Sequence, residues 1–225
     1  MDWQKTLEFA RGPFFQVALT IFVAGMTYRF VRVLLLGWTR DRVPSKGSKA
    51  GGAVIAYLKA FLIWPFVPWV KNTFSKRPIM YLAGGLFHAG LFVIIFLGAP
   101  HMLVWKNLLG FGWPTLPLPI VDWFAAVTLA AMVMLFINRL RDPVLKLISG
   151  PAEWLNLLLV FLPMLSGYAM THHLLDPYEM LFSLHLITVN ILLIWIPFSR
   201  ISHFMFYFFS KTIHGAQFGK RSVTP

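Results

Sequence analysis

Seven histidines are the residues of this chain whose type and spacing could do chemistry. Four of them, His88, His101, His185 and His203, stand within or at the ends of long apolar runs. An ionisable ring at membrane depth is costly and marks a functional position. One such ring alone reads as a neutral imidazole bonded to a neighbouring helix. Four, set as two pairs on two runs, read as ligands. His185 and His203 are eighteen positions apart. On one α-helix that is five turns and about 27 Å, so both rings fall on one face. The length approaches the thickness of a bilayer's hydrocarbon core. His88 and His101 are thirteen positions apart, about 20 Å and about 220° of rotation on a straight helix. Pro100 can break that helix and re-aim His101. If the two runs cross antiparallel, His88 meets His203 at one depth and His101 meets His185 at the other. Two trans imidazoles at each depth suit a six-coordinate b-type haem built for electron transfer. Zinc would want three or four protein ligands, and no cysteine or nearby carboxylate completes such a set.

Such pairs need helices to hold them, and the composition supplies these. The chain is 58% hydrophobic and only 12% charged, against about 25% charged for soluble domains. This is the composition of a polytopic membrane protein. Five stretches have the length and apolarity of spans, at about 14–36, 79–98, 119–137, 152–170 and 178–209. The expected fold is an all-α integral membrane bundle of five transmembrane helices, one domain over residues 1–225. A sixth apolar stretch, 53–70, carries Lys59 near its middle and Pro65 and Pro68 in its second half. Its expected place is the interface, with Lys59 snorkelling and Trp64 and Trp69 at headgroup level. The start, MDWQKTLEFARGPFF, lacks a basic n-region and a small-residue cleavage site, so the first run reads as a retained span.

The net charge is +12. In a soluble protein this would raise nucleic acid as a partner. Here the basic residues lie between apolar runs, where they set topology and argue against nucleic acid. Arg40, Arg42, Lys46, Lys49, Lys71, Lys76 and Arg77 follow the first run, Arg139, Arg141 and Lys146 the third, and Lys211, Lys220 and Arg221 the fifth. The intervening loops hold only Lys106, or Asp176 and Glu179 without a cation. Positive loops face the cytoplasm, so the N-terminus is expected outside and the C-terminus inside, in the cytoplasmic (inner) membrane. With no cysteine, disulfides, thiolate-held clusters and CxxCH-linked haem are excluded.

Around the pairs, Gly84, Gly85, Ala89 and Gly90 flank His88. Small residues let a planar macrocycle approach the backbone, and they equally serve helix packing. Arg29, Arg32 and Arg200 lie near the inner ends, where they could pair with haem propionates or anchor the interface. His172 and His173, in THHLLDPYE, read as solvated loop rings, with replacement of His101 as a ligand or the lining of a quinone pocket as the alternatives. His214 lies in the basic tail.

Four segments carry a resemblance: FHAGLFVIIFLGAPH, RLRDPVLKLIS, LLLVFLPMLSGYAM and HLITVNILLIWIPFSRISH. Together they resemble the cytochrome b gamma subunit of respiratory nitrate reductase. They are closer still to its relatives in sulfate-reducer membrane complexes, which pair with heterodisulfide-reductase-like iron–sulfur subunits. The resemblance covers roughly residues 77–210; the first span fits by topology alone. It implies two b haems and electron exchange between a quinone pool, menaquinone or ubiquinone, and an iron–sulfur partner on the cytoplasmic side. It matches His88 and His203 to the inner haem and His185 to the outer one. The wider spacing to His101 departs from the nitrate reductase pattern, so His101, His172 and His173 all stay open as the second outer ligand. Lys106, five residues from His101, is then a candidate donor to a quinone carbonyl, and Asp176 and Glu179 could exchange protons with water on that face. The alternative class is a membrane transporter whose buried histidines relay protons without haem; it expects further buried carboxylates, and the cores of the second and fifth runs contain none.

Overall fold

Six of the described α-helices carry a proline in their first two positions, because a first-turn residue needs no N–H and proline's φ is already helical. The computed structural model describes residues 2–36, 44–60 and 73–223. In chain order the α-helices are α1 (Trp3–Arg11), α2 (Pro13–Leu35), α3 (Lys49–Leu58), α4 (Thr73–Lys76), α5 (Pro78–Phe92), α6 (Ala99–Leu109), α7 (Leu118–Arg141), α8 (Pro143–Ile148), α9 (Pro151–Thr171), α10 (Tyr178–Trp195) and α11 (His203–Lys220). A π-helical turn, Val93–Leu97, extends α5, and short 3-10 turns, Ile196–Phe198 and Arg200–Ser202, separate α10 from α11. No strand occurs among the described residues.

Five helical segments are long and apolar enough to cross a membrane: Trp3–Leu35, Pro78–Leu97, Leu118–Arg141, Pro151–Thr171 and Tyr178–Phe198. This is a multi-pass, all-helical membrane protein. The first segment begins earlier than position 14. Asp2 caps α1 by accepting from the Lys5 N–H at 3.2 Å, and Gly12 interrupts the helix before Pro13.

The fifth segment differs more. One straight helix from His185 to His203 is not what forms. α10 ends at Trp195 because Pro197 has no N–H to give and Ser199 is extended, with φ −121° and ψ 174°. His203 then opens a separate helix, so His185 and His203 do not stand on one continuous helix. Of the expected interfacial stretch, 53–60 is helical through Leu58; residues 61–70, with Trp64, Pro65, Pro68 and Trp69, lie outside the described residues, as do Arg40, Arg42 and Lys71.

The chain divides into two compact units. The first is Met1–Val17 with Phe74–Leu192, and the second Ala18–Thr73 with Leu193–Pro225. In the first unit α5 packs along α7, and α7 along α9, around Ile94, Met132 and Met164. Gly90 lets α5 and α7 close: a Cβ there would overlap the Thr128 hydroxyl. Of the small residues beside His88, Gly90 therefore serves helix packing. At the start of α5, Arg77 pairs with Asp142, just past the end of α7, at 2.9 Å, which makes the two helices antiparallel. In the second unit α3 and α11 run antiparallel in close contact. The Lys46 and Gly47 N–H groups donate to the Lys220 carbonyl at 2.9 and 3.2 Å, and the Tyr57 hydroxyl donates to the Phe208 carbonyl at 2.6 Å.

Candidate functional site

A helix end leaves four carbonyls without intrahelical partners. At the end of the α5 segment these belong to Ile94, Ile95, Phe96 and Leu97, and each finds a donor in the residues that follow. Gly98 N–H reaches Ile94 O at 3.2 Å, and Leu116 N–H reaches Leu97 O at 2.9 Å. The Trp105 and Trp113 indoles donate to Ile95 O at 3.0 Å and to Phe96 O at 2.6 Å. These bonds fold α6 and the loop after it back over the helix end. Gly98 is extended, with φ −76° and ψ 128°, and Pro100 stands in the first turn of the new helix. His101 is thereby turned off the α5 axis.

The result is a pair. The rings of His101 and His185 lie 6.2 Å apart between centroids, inclined at 64°. His185 is fixed by a backbone carbonyl, its Nδ1–H donating to Pro163 O at 3.0 Å, and the His101 ring lies beside the backbone of Ile94. Ser166 Oγ stands 3.3 Å from the same Nδ1. With the proton at Nδ1, the neutral His185 ring carries its lone pair at Nε2. Gly167 makes the room, since a Cβ there would stand 3.0 Å from Cε1 and 3.2 Å from Nδ1 of His185. Two imidazoles so held can bind one centre from two sides or pass a proton. Among the described residues no group of three or more His, Cys, Asp or Glu gathers as a metal site.

His172 is drawn elsewhere. Its Nδ1 donates to Tyr168 O at 3.0 Å and its Nε2 meets Asp122 Oδ1 at 3.3 Å, so both nitrogens are engaged. The His173 ring lies beside Tyr178 at 5.5 Å. Of the three candidates, His101 is the one placed at His185. His88 is exposed on α5 with Nδ1 donating to Gly84 O at 2.7 Å, edge-on to Phe87 at 4.8 Å. His203 Nδ1 donates to Arg200 O at 2.9 Å. His88 belongs to the first unit and His203 to the second. Apart from their own helix backbone and chain neighbours, no described atom lies within 4 Å of where a Cβ on Gly84 or Gly85 would stand.

Lys106 is exposed on α6, and its carbonyl accepts the Gly110 N–H at 2.9 Å, closing that helix. Arg200 and Arg32 are exposed in the second unit. Arg29 works on the backbone. Its Nη1 donates to Pro197 O at 2.9 Å, Ser199 O at 3.0 Å and Ser202 Oγ at 2.5 Å. Pro163, Ser166 and Gly167, which seat His185, were not singled out from the sequence. The signal available was a mid-span proline followed three and four residues later by Ser-Gly, a polar break in an apolar run.

Comparison with known proteins adds one relative. A protein of Nitratidesulfovibrio vulgaris (strain Hildenborough), named only "Protein", is 28% identical over 204 residues, 90% of this chain and 89% of the relative. No family model matches the chain, and no solved structure matches it.

Proposed function

We propose that this chain is a membrane-anchoring dihaem cytochrome b subunit that transfers electrons between the quinone pool and an iron–sulfur partner protein. The observation that carries this reading is the His101–His185 pair. Two imidazoles bound to one ion from opposite sides at about 2 Å each would set their ring centroids about 6.3 Å apart. The 6.2 Å separation fits that arrangement. A carbonyl partner on the second ring nitrogen, as His185 has, is the support a metal-bound imidazole takes, because it fixes the ring's tautomer and orientation. A relative in a sulfate reducer is consistent with the same reading.

The haem would supply a one-electron couple buried in low dielectric. His101 and His185 would hold the outer group, with Pro163, Ser166 and Gly167 orienting and admitting the His185 ring. His88 and His203 would hold the inner one, with Arg200 available to a propionate; this rests on the sequence pairing and on the open flank at Gly84 and Gly85. Lys106 would donate to a quinone carbonyl at the outer face. The N-terminus would lie outside and the C-terminus in the cytoplasm, across the inner membrane, with the iron–sulfur partner on the inner side. A pyridine haemochrome spectrum of the purified chain tests the proposal. Two haems b per chain are expected. A chain without haem returns the histidines to proton relay or plain packing, and a ratio of one removes one of the two sites.

A further inference from the structure

The second unit, which does not contain the His101–His185 pair, carries an exposed apolar surface. α3 and α11 approach each other through glycine: a Cβ on Gly52 would overlap the Gly215 carbonyl, and one on Gly219 would stand 2.6 Å from Gly52 Cα. With the Lys46 and Gly47 bonds to Lys220 O at one end and Tyr57 against Phe208 further along, the pair is a closed hairpin. Gly52 and Ala56 are buried on the α11 side of α3. Val54, Ile55 and Leu58 point away from them and are 56%, 41% and 49% exposed. Phe204 and Phe208, one turn apart on α11, are also exposed.

Charge decides what covers this face. The described residues of the second unit contain no Asp or Glu, while Lys46, Lys49, Lys59, Lys211 and Arg221 belong to the two helices or their ends; Lys220 is buried between them. An exposed apolar face rimmed by these cations, with no carboxylate among the described residues of the unit, matches a leaflet of anionic lipid, whose headgroups attract the lysines and whose acyl boundary takes the apolar side chains. The depth agrees. Phe209 lies 5.2 Å from Phe30, and Arg29 stands over the Phe206 ring at 5.1 Å. The first turns of α11 thus rest against the last turns of a membrane-crossing helix, where headgroups begin. Further along α11, Lys211 Nζ lies over the Tyr207 ring at 5.4 Å, a long cation laid along an aromatic as at a membrane interface.

We propose that the α3–α11 hairpin is a lipid-binding element that lies in the headgroup layer and takes anionic phospholipid. The proposal is independent of haem. Because the chain has no cysteine, single spin labels can be placed without background. The full chain carrying Val54→Cys, Leu58→Cys or, as a water reference, Ser45→Cys is labelled and put into proteoliposomes of phosphatidylcholine with or without phosphatidylglycerol. Accessibility is read with oxygen, which enters lipid, and with a water-soluble nickel chelate. Positions 54 and 58 should favour oxygen over the chelate, position 45 the reverse, and phosphatidylglycerol should deepen 54 and 58. Lys46→Gln with Lys49→Gln should abolish that lipid dependence. Val54 and Leu58 labels as open to the chelate as the Ser45 label would overturn the proposal and leave the face to water or to an acidic protein. Lipid contact that is indifferent to phosphatidylglycerol would overturn the anionic preference.

Discussion

His101 and His185 face each other at 6.2 Å between ring centroids although one opens α6 and the other lies on α10. The contact depends on Gly167, whose missing Cβ admits the His185 ring. Gly167→Ala would place carbon 3.0 Å from His185 Cε1, closer than ordinary van der Waals contact, so the ring must tilt. On the proposed dihaem reading, the expected outcome is selective damage to one haem: a haem-to-protein ratio falling from two toward one, or a shifted low-spin EPR signal for one centre. Gly85→Leu gives a complementary reading. Beyond its own helix backbone and chain neighbours, no described atom lies within 4 Å of its added Cβ, so haem loss there with an unchanged melting temperature would report a bound group rather than damaged packing. Full retention of both haems in both variants would count against the assignment of both sites.

Five apolar runs were legible because length and hydropathy are local properties. The turning of His101 was half legible: Pro100 marked a break, while the indoles of Trp105 and Trp113 that hold the break in place are contacts no spacing rule gives. The end of the fifth span misled for the same reason. Pro197 sits in an apolar run that reads as continuous, and what stabilises a restart at His203 is Arg29, 168 positions before Pro197 in the chain. Gly84, Gly85 and Gly90 look alike in sequence, and only packing separates Gly90, closed on α7, from the other two.

Arg29 should therefore behave as a structural residue. Its guanidinium satisfies carbonyls that the 3-10 turns leave open, and it lies over the Phe206 ring. Arg29→Met keeps the stem and removes the donors. Leaving part-buried acceptors unpaired costs roughly 1–3 kcal/mol, so the variant should melt measurably lower in detergent. An unchanged melting temperature would mean that water replaces the guanidinium at no cost.

Asp142 gives a pH signature at the opposite kind of site, a loop outside the spans. Its carboxylate accepts the Leu145 N–H at 3.1 Å and the Val144 N–H at 2.8 Å, and pairs with Arg77 at 2.9 Å. The Leu145 N–H above all, then the Val144 N–H and the Arg77 charge, hold its carboxyl below the ordinary value against an opposing desolvation. A depressed folded value stabilises the fold above the unfolded value of about 4, and that stability is lost as pH falls through the folded value. Wild type should lose its advantage over Asp142→Asn across that acid window and keep it unchanged from there to neutral pH. Melting curves against pH check this; parallel curves would show that the ion pair and cap contribute nothing.

Lys106 carries the last prediction. It stands on α6 five residues after His101, so a helix places it about 7.5 Å further along the axis. The residue is exposed, and its stem lies near Gly112, whose added Cβ would be 3.7 Å from Lys106 Cβ and Cδ. An ammonium there can donate to a quinone carbonyl or balance the negative charge of a partly oxidised ring. Removing it touches none of the bonds that set His101, which come from Ile94, Gly98, Trp105 and Trp113. If the chain holds haem as proposed, Lys106→Ala should keep both haems and the melting temperature while slowing haem reduction by a quinol analogue. Since one charge-assisted hydrogen bond is worth about 1.5–3 kcal/mol, the slowing should be roughly ten- to a hundredfold. Lys106→Arg should restore part of the rate, because the cation returns on a longer fork. Unchanged reduction in Lys106→Ala, with haem content intact, would move the quinone site away from α6.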